Sequence, residues 1–147
     1  MFITGKVIAL RSSQAIEVPV EAVRILIVDD EQIFLMCVHS QLSRKGFIVH
    51  TADNTDEAVN IAMKEKIDIV IMDGQLPGKY SSLEAIQLLK EMHAPVSIIG
   101  VSGMPKTYFE SSAIDHVVTK PVNIEHLVEI MQEALKSTSG RSLTSPQ

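Results

Sequence analysis

The chain predicts an α/β protein built on a doubly wound, five-stranded parallel sheet, and three observations carry that reading. From Val23 onward, short apolar runs alternate with amphipathic helical stretches, and the joins between them are brief. The central runs are almost continuously apolar, as strands covered on both faces must be. A length of 147 residues suits one domain large enough to bury a core.

The first strand spans about 24–29, through Ile25, Leu26, Ile27 and Val28. A helix over about 32–45 follows, with Phe34, Leu35, Val38, Gln41 and Leu42 on one side, and Gly46 stops it. Phe47–Thr51 is the second strand. Asn54 caps the second helix, and Glu57 three residues later gives a capping-box pattern. Its inward side is Ala58, Val59, Ala62 and Met63. The third strand, 67–72, is almost wholly apolar and reads as central. The third helix covers about 82–92 with Leu83, Ile86, Leu88 and Leu89. The fourth strand is 96–101, a short helix lies within 105–113, and the fifth strand is about 116–119. The last helix, about 123–136, turns Ile124, Leu127, Val128, Met131 and Leu135 inward.

Residues 1–22 precede this pattern. Phe2–Leu10 and Ala15–Val20 are β-prone and joined by a polar stretch, which fits either an added hairpin or a loosely held arm. Residues 137–147 are rich in Ser and Thr and predict a disordered tail, leaving 23–136 as the domain proper with no output domain after it. The net charge of −5, without a basic block, argues against direct nucleic-acid binding. Nothing resembles a membrane span or a signal peptide, so the expected location is cytoplasmic, away from membranes. Cys37 is the only cysteine, which excludes an internal disulfide; its apolar neighbours predict a buried side chain. His39, His50, His93, His116 and His126 are scattered without ligand spacing, and the methionines read as core filling.

The chemistry sits where the apolar runs end. Ile25–Val28 runs into Asp29 and Asp30, and the third strand into Asp73. The fourth strand runs into Ser102, and the fifth into Lys120 with Pro121 after it. As neighbouring parallel strands, these runs bring three carboxylates, a hydroxyl and an ammonium to one carboxyl edge, where open parallel sheets bind ligands. Clustered carboxylates repel unless a cation sits among them. A hydroxyl and a lysine beside them can hold phosphoryl oxygens. The pattern describes a site for Mg²⁺ and phosphate.

These residues, in this order and spacing, resemble the receiver domain of two-component response regulators, from roughly Val23 to Leu135. The resemblance implies a flavodoxin-like sheet of strand order 2-1-3-4-5. It implies Asp73 as the phospho-acceptor, with Pro77 four residues on. It implies Mg²⁺ bound by Asp30, Asp73 and the backbone carbonyl of Gln75, with Asp29 acting through water. Ser102 and Lys120 would hold phosphoryl oxygens, and a cis bond to Pro121 would aim the lysine inward. The implied partners are a histidine kinase or histidine phosphotransfer protein and an unidentified downstream protein. The implied role is a single-domain regulator that signals by protein binding or phosphorelay. It catalyses only its own phosphoryl transfer and slow dephosphorylation, with Met104 and Gln75 flanking the path of water and Gly103 leaving room for a partner's group.

Three departures from the family pattern concern signal output. Val117 stands where the family has an aromatic switch residue three before the lysine, leaving Tyr80 and Tyr108 as candidate substitutes. The stretch from Ser102 to Lys120 is about one helical turn short, so with Pro105 the fourth helix is expected to be shortened. The loop 76–82 is longer than usual. These departures support an alternative reading, a pseudo-receiver that binds partners without phosphorylation. A phosphatase-type hydrolase would place a second acid two residues after its nucleophile, and Gln75 occupies that position.

Overall fold

The computed structural model describes residues 6–11, 14–19, 23–93, 95–103, 113–139 and 141–144. Within them run β1 (Lys6–Arg11), β2 (Gln14–Pro19), β3 (Arg24–Val28), α1 (Gln32–Arg44), β4 (Ile48–Ala52) and α2 (Thr55–Lys64). There follow β5 (Ile69–Asp73), α3 (Ser82–Met92), β6 (Ser97–Ser102), β7 (His116–Thr119), α4 (Ile124–Ser139) and β8 (Arg141–Thr144). Strands β3 to β7 form a parallel sheet in the order β4-β3-β5-β6-β7, the expected 2-1-3-4-5 arrangement. The expected short helix within 105–113, together with Met104 and Tyr108, falls almost entirely outside the described residues.

Period-two alternation along the strands divides the core between the faces of this sheet. Ile25 and Ile27 of β3, with Ile69, Ile71, Ile99 and Val101, bury against Leu35, Val38 and Leu42 of α1 and Leu127, Met131 and Leu135 of α4. The intervening Leu26, Val28, Val70, Met72 and Ile98 bury against Ala58, Val59 and Ala62 of α2 and Ala85, Ile86 and Leu89 of α3. Covering both faces makes the sheet a stiff platform.

Local signals set the helix ends. Gly46 adopts φ 100, a left-handed conformation that ends the chain's run beyond α1. Asn54 caps α2 by accepting from the Glu57 N–H at 2.8 Å. The full reciprocal capping box instead belongs to α3. There the Ser81 hydroxyl accepts from the Glu84 N–H at 3.1 Å, and the Glu84 carboxylate accepts from the Ser81 N–H at 3.0 Å. Those bonds hold the Glu84 carboxyl below its usual range.

Several sequence expectations are corrected. Residues 137–147 do not form a disordered tail throughout: α4 continues to Ser139, and β8 pairs antiparallel with β1. Their Ser/Thr composition signals poor core burial, but a strand needs only a partner edge, and β1 supplies one. β1 also pairs antiparallel with β2, giving a second sheet in the order β2-β1-β8. Cys37 is exposed, because it lies about 200° around the helix from buried Leu35. Met63 and Met36 are likewise on outer helical faces and exposed. No described helix is long and apolar enough to cross a membrane.

Ser81→Ala removes the hydroxyl that caps the Glu84 N–H and leaves the reciprocal bond from the residue 81 backbone N–H to Glu84 in place. Urea unfolding should show a loss of about 1 kcal/mol, with the denaturant slope unchanged.

Candidate functional site

Parallel pairing fixes which strand ends meet. The register sets Val28 beside Met72, Asp73 beside Val101, and Ser102 beside Thr119. Asp29 and Asp30 therefore leave β3 next to Asp73 at the end of β5. One carboxylate oxygen from each of these three residues lies within 4.8 Å of the others. Buried Ser102 closes β6 on the next strand, and its carbonyl accepts the Lys120 N–H at 2.9 Å. The Lys120–Pro121 bond is cis.

Asp29 is fully buried. Its Oδ1 accepts the Glu31 N–H at 2.8 Å, and its Oδ2 lies 2.8 Å from Lys120 Nζ. That ion pair gives the buried carboxylate its counter-charge. Asp73 is half-buried; its Oδ1 accepts the Gln75 N–H at 3.3 Å, and its carbonyl accepts the Ser82 hydroxyl at 3.1 Å. Burial raises the Asp73 carboxyl above its usual value, and the charges of Asp29 and Asp30 add to this. The Gln75 N–H and Lys120 pull the other way without cancelling it. For Lys120, burial alone would lower the ammonium, but its acidic neighbours Asp29, Glu31 and Asp73 outweigh burial and raise it.

The donor set fits a hard divalent cation. Three carboxylates with no histidine or cysteine among them suit Mg²⁺ or Ca²⁺ rather than zinc, and the one ammonium beside them, Lys120, leaves the set with a surplus of negative charge.

Two contacts of the site lay outside the sequence reading. Lys120 Nζ is 2.6 Å from Glu31 Oε1 and stands 4.5 Å from the centre of the Phe34 ring. Glu31 and Phe34 are one turn apart at the start of α1, which begins directly at the sheet edge. That helix start, two residues after a paired acid, is the signal that would have found them. The loop after Asp73 is tied to α2. The Thr55 hydroxyl donates to the Tyr80 carbonyl at 2.7 Å, the Thr55 N–H to the Pro77 carbonyl at 3.1 Å, and the Lys79 N–H to Asp56 Oδ1 at 2.7 Å. Gly78, at φ 131, lets the loop approach, since a Cβ there would strike Thr55 Oγ1. A Cβ added at Gly103 would meet nothing within 4 Å among the described residues.

The model of the response regulator receiver domain family matches residues 25–132, and the chain belongs to this family. Receivers are signalling domains of two-component systems rather than classical enzymes, and they typically bind a divalent metal. The transcriptional regulatory protein SrrA of Staphylococcus aureus is 29% identical over 122 residues, covering 81% of this chain and 50% of SrrA. The chain thus spans about half the length of the curated relatives it matches. A response regulator protein from Burkholderia pseudomallei, solved with a phosphorylated aspartic acid, a calcium ion and citrate, aligns with TM-score 0.66 at 28% identity. That alignment covers 78% of this chain and 74% of that one. A chain from the complex of the Saccharomyces cerevisiae histidine phosphotransfer protein Ypd1 with the receiver domain of Ssk1 aligns with TM-score 0.65 at 28% identity. It covers 79% of this chain and 91% of that one.

Replacing Lys120 by Met would leave Asp29 buried with its counter-charge gone. The expected outcome is a loss of about 1–3 kcal/mol in urea unfolding without added metal.

Proposed function

We propose that Asp73 accepts a phosphoryl group from a phosphohistidine, and that the phosphorylated domain then signals by protein binding or passes the group onward. The observation that carries this reading is the convergence of Asp29, Asp30 and Asp73 within 4.8 Å, beside a lysine paired to Asp29 at 2.8 Å. An Asp73 oxygen attacks phosphorus, the bond from phosphorus to the donor imidazole nitrogen breaks, and its electron pair returns to the ring. The transition state resembles metaphosphate, so catalysis consists of positioning and charge stabilisation. Lys120 supplies charge to the phosphoryl oxygens, and Ser102 offers a hydroxyl from the neighbouring strand. Mg²⁺, held by Asp30, Asp73 and the Gln75 carbonyl with Asp29 behind them, would neutralise the charge that develops on those oxygens.

The partner class is a histidine kinase or histidine phosphotransfer protein, and a cytoplasmic setting suits it. Support comes from the yeast complex, in which a receiver is bound to a phosphotransfer protein. It also comes from α1, where Ile33 and Met36 are 77% and 69% exposed beside the pocket. Large apolar side chains so exposed offer a docking seat.

A second reading, the pseudo-receiver, draws on the switch region. Val117 of β7 is partly buried and not aromatic, while Tyr80 already packs against the core between the sheet and helices α2 and α3.

Acetyl phosphate with Mg²⁺ separates the two readings. Intact mass should rise by one phosphoryl group in the wild type, and not in Asp73→Asn or with chelator present. No gain in the wild type would leave only the binding-module reading. Ile33→Asp should slow transfer from a phosphotransfer protein by about tenfold while acetyl phosphate labelling stays the same. Equal slowing with both donors would remove α1 as the seat.

A further inference from the structure

We infer that Glu31 is the resident anion of the phosphoryl pocket: it holds Lys120 in the unmodified protein and is displaced when a phosphoryl group arrives. The inference rests on the phospho-acceptor reading of Asp73 and extends it to a residue outside the acidic cluster.

Lys120 Nζ has two carboxylate partners, Asp29 at 2.8 Å and Glu31 at 2.6 Å. They differ in their freedom to leave. The Asp29 side chain is fully buried and fixed at its other oxygen by the Glu31 N–H, whereas the Glu31 side chain is 63% exposed. Glu31 also occupies the N-cap position of α1 but makes no side-chain cap bond, its carboxylate being turned to the lysine instead. The Lys120 side chain is only 17% exposed, and the Phe34 ring holds its ammonium from the same helical turn.

An incoming phosphoryl group presents the same chemistry as Glu31, anionic oxygens seeking a buried ammonium. Asp29 cannot yield without stranding a buried charge, so the exchange must fall on the exposed partner. Glu31 then swings into solvent at the start of α1, and the pocket gains no net unpaired charge. In this arrangement Glu31 is a positioning residue. It keeps Lys120 aimed at the pocket before phosphorylation and opposes occupancy by the modest strength of an exposed ion pair.

The test uses beryllofluoride, a phosphoryl mimic, on the full chain with Mg²⁺. Glu31→Gln should bind it about three- to fivefold more tightly than wild type, the range that loss of an exposed ion pair allows. In wild type, with glutamate carboxyl carbons labelled, the Glu31 resonance should move when beryllofluoride is added to the Mg²⁺-loaded protein. Equal or weaker binding by Glu31→Gln, or an unmoved Glu31 resonance in protein that does bind, would overturn the exchange and leave the phospho-acceptor reading intact. Failure of wild type to bind beryllofluoride at all would overturn both.

Discussion

The site depends on holding like charges together. Two carboxylates near 5 Å apart repel by roughly 3–4 kcal/mol at an effective dielectric of about 20, a large fraction of a small domain's stability. Asp29 and Asp73 are held in that relation by strands whose register cannot slip without turning apolar side chains out of the core. Lys120 offsets part of the repulsion, and a divalent cation is the natural remainder. The same repulsion is what a cation among the three carboxylates would relieve.

This constraint explains how the other elements are arranged. The two-sided core fixes the strand ends, so chemistry at the ends of four different strands shares one edge. The loops that leave that edge are tethered as well. Ser82 at the start of α3 donates to the Asp73 carbonyl, and Thr55 and Asp56 at the start of α2 hold the segment beyond it. Two helices, α1 and α3, therefore begin in contact with residues of the site, and α2 holds the loop beyond Asp73. The first turn of α1 makes that contact most directly, through Glu31 and Phe34 on Lys120.

The sheet and the acidic cluster were legible because their signals are local and repeated. Each strand is an apolar run ending in a polar residue, and order along the chain implied adjacency in space. Helix orientation was less legible. Periodicity placed Leu35, Val38 and Leu42 inward but could not separate Met63 or Cys37 from their buried neighbours, since apolar character alone does not say which way a side chain points. The Glu31–Lys120 contact joins residues far apart in sequence, so the helix start at Glu31 marks one partner but not its pairing with the other. β8 was missed for a related reason: its Ser/Thr-rich residues carry a weak strand signal, and its partner lies at the opposite end of the chain.

That last pairing has a consequence for the order of events in folding. β1 can pair with β2 as soon as both are synthesised, because only two residues separate them in sequence. β8 reaches β1 only across almost the whole chain, with Ile8 opposite Ser142. Closing so long a loop is entropically costly unless the intervening residues are already compact. That cost is lower once the receiver core has assembled and carried α4 into place. The third strand of the small sheet therefore depends on α4, the helix that leads directly into β8.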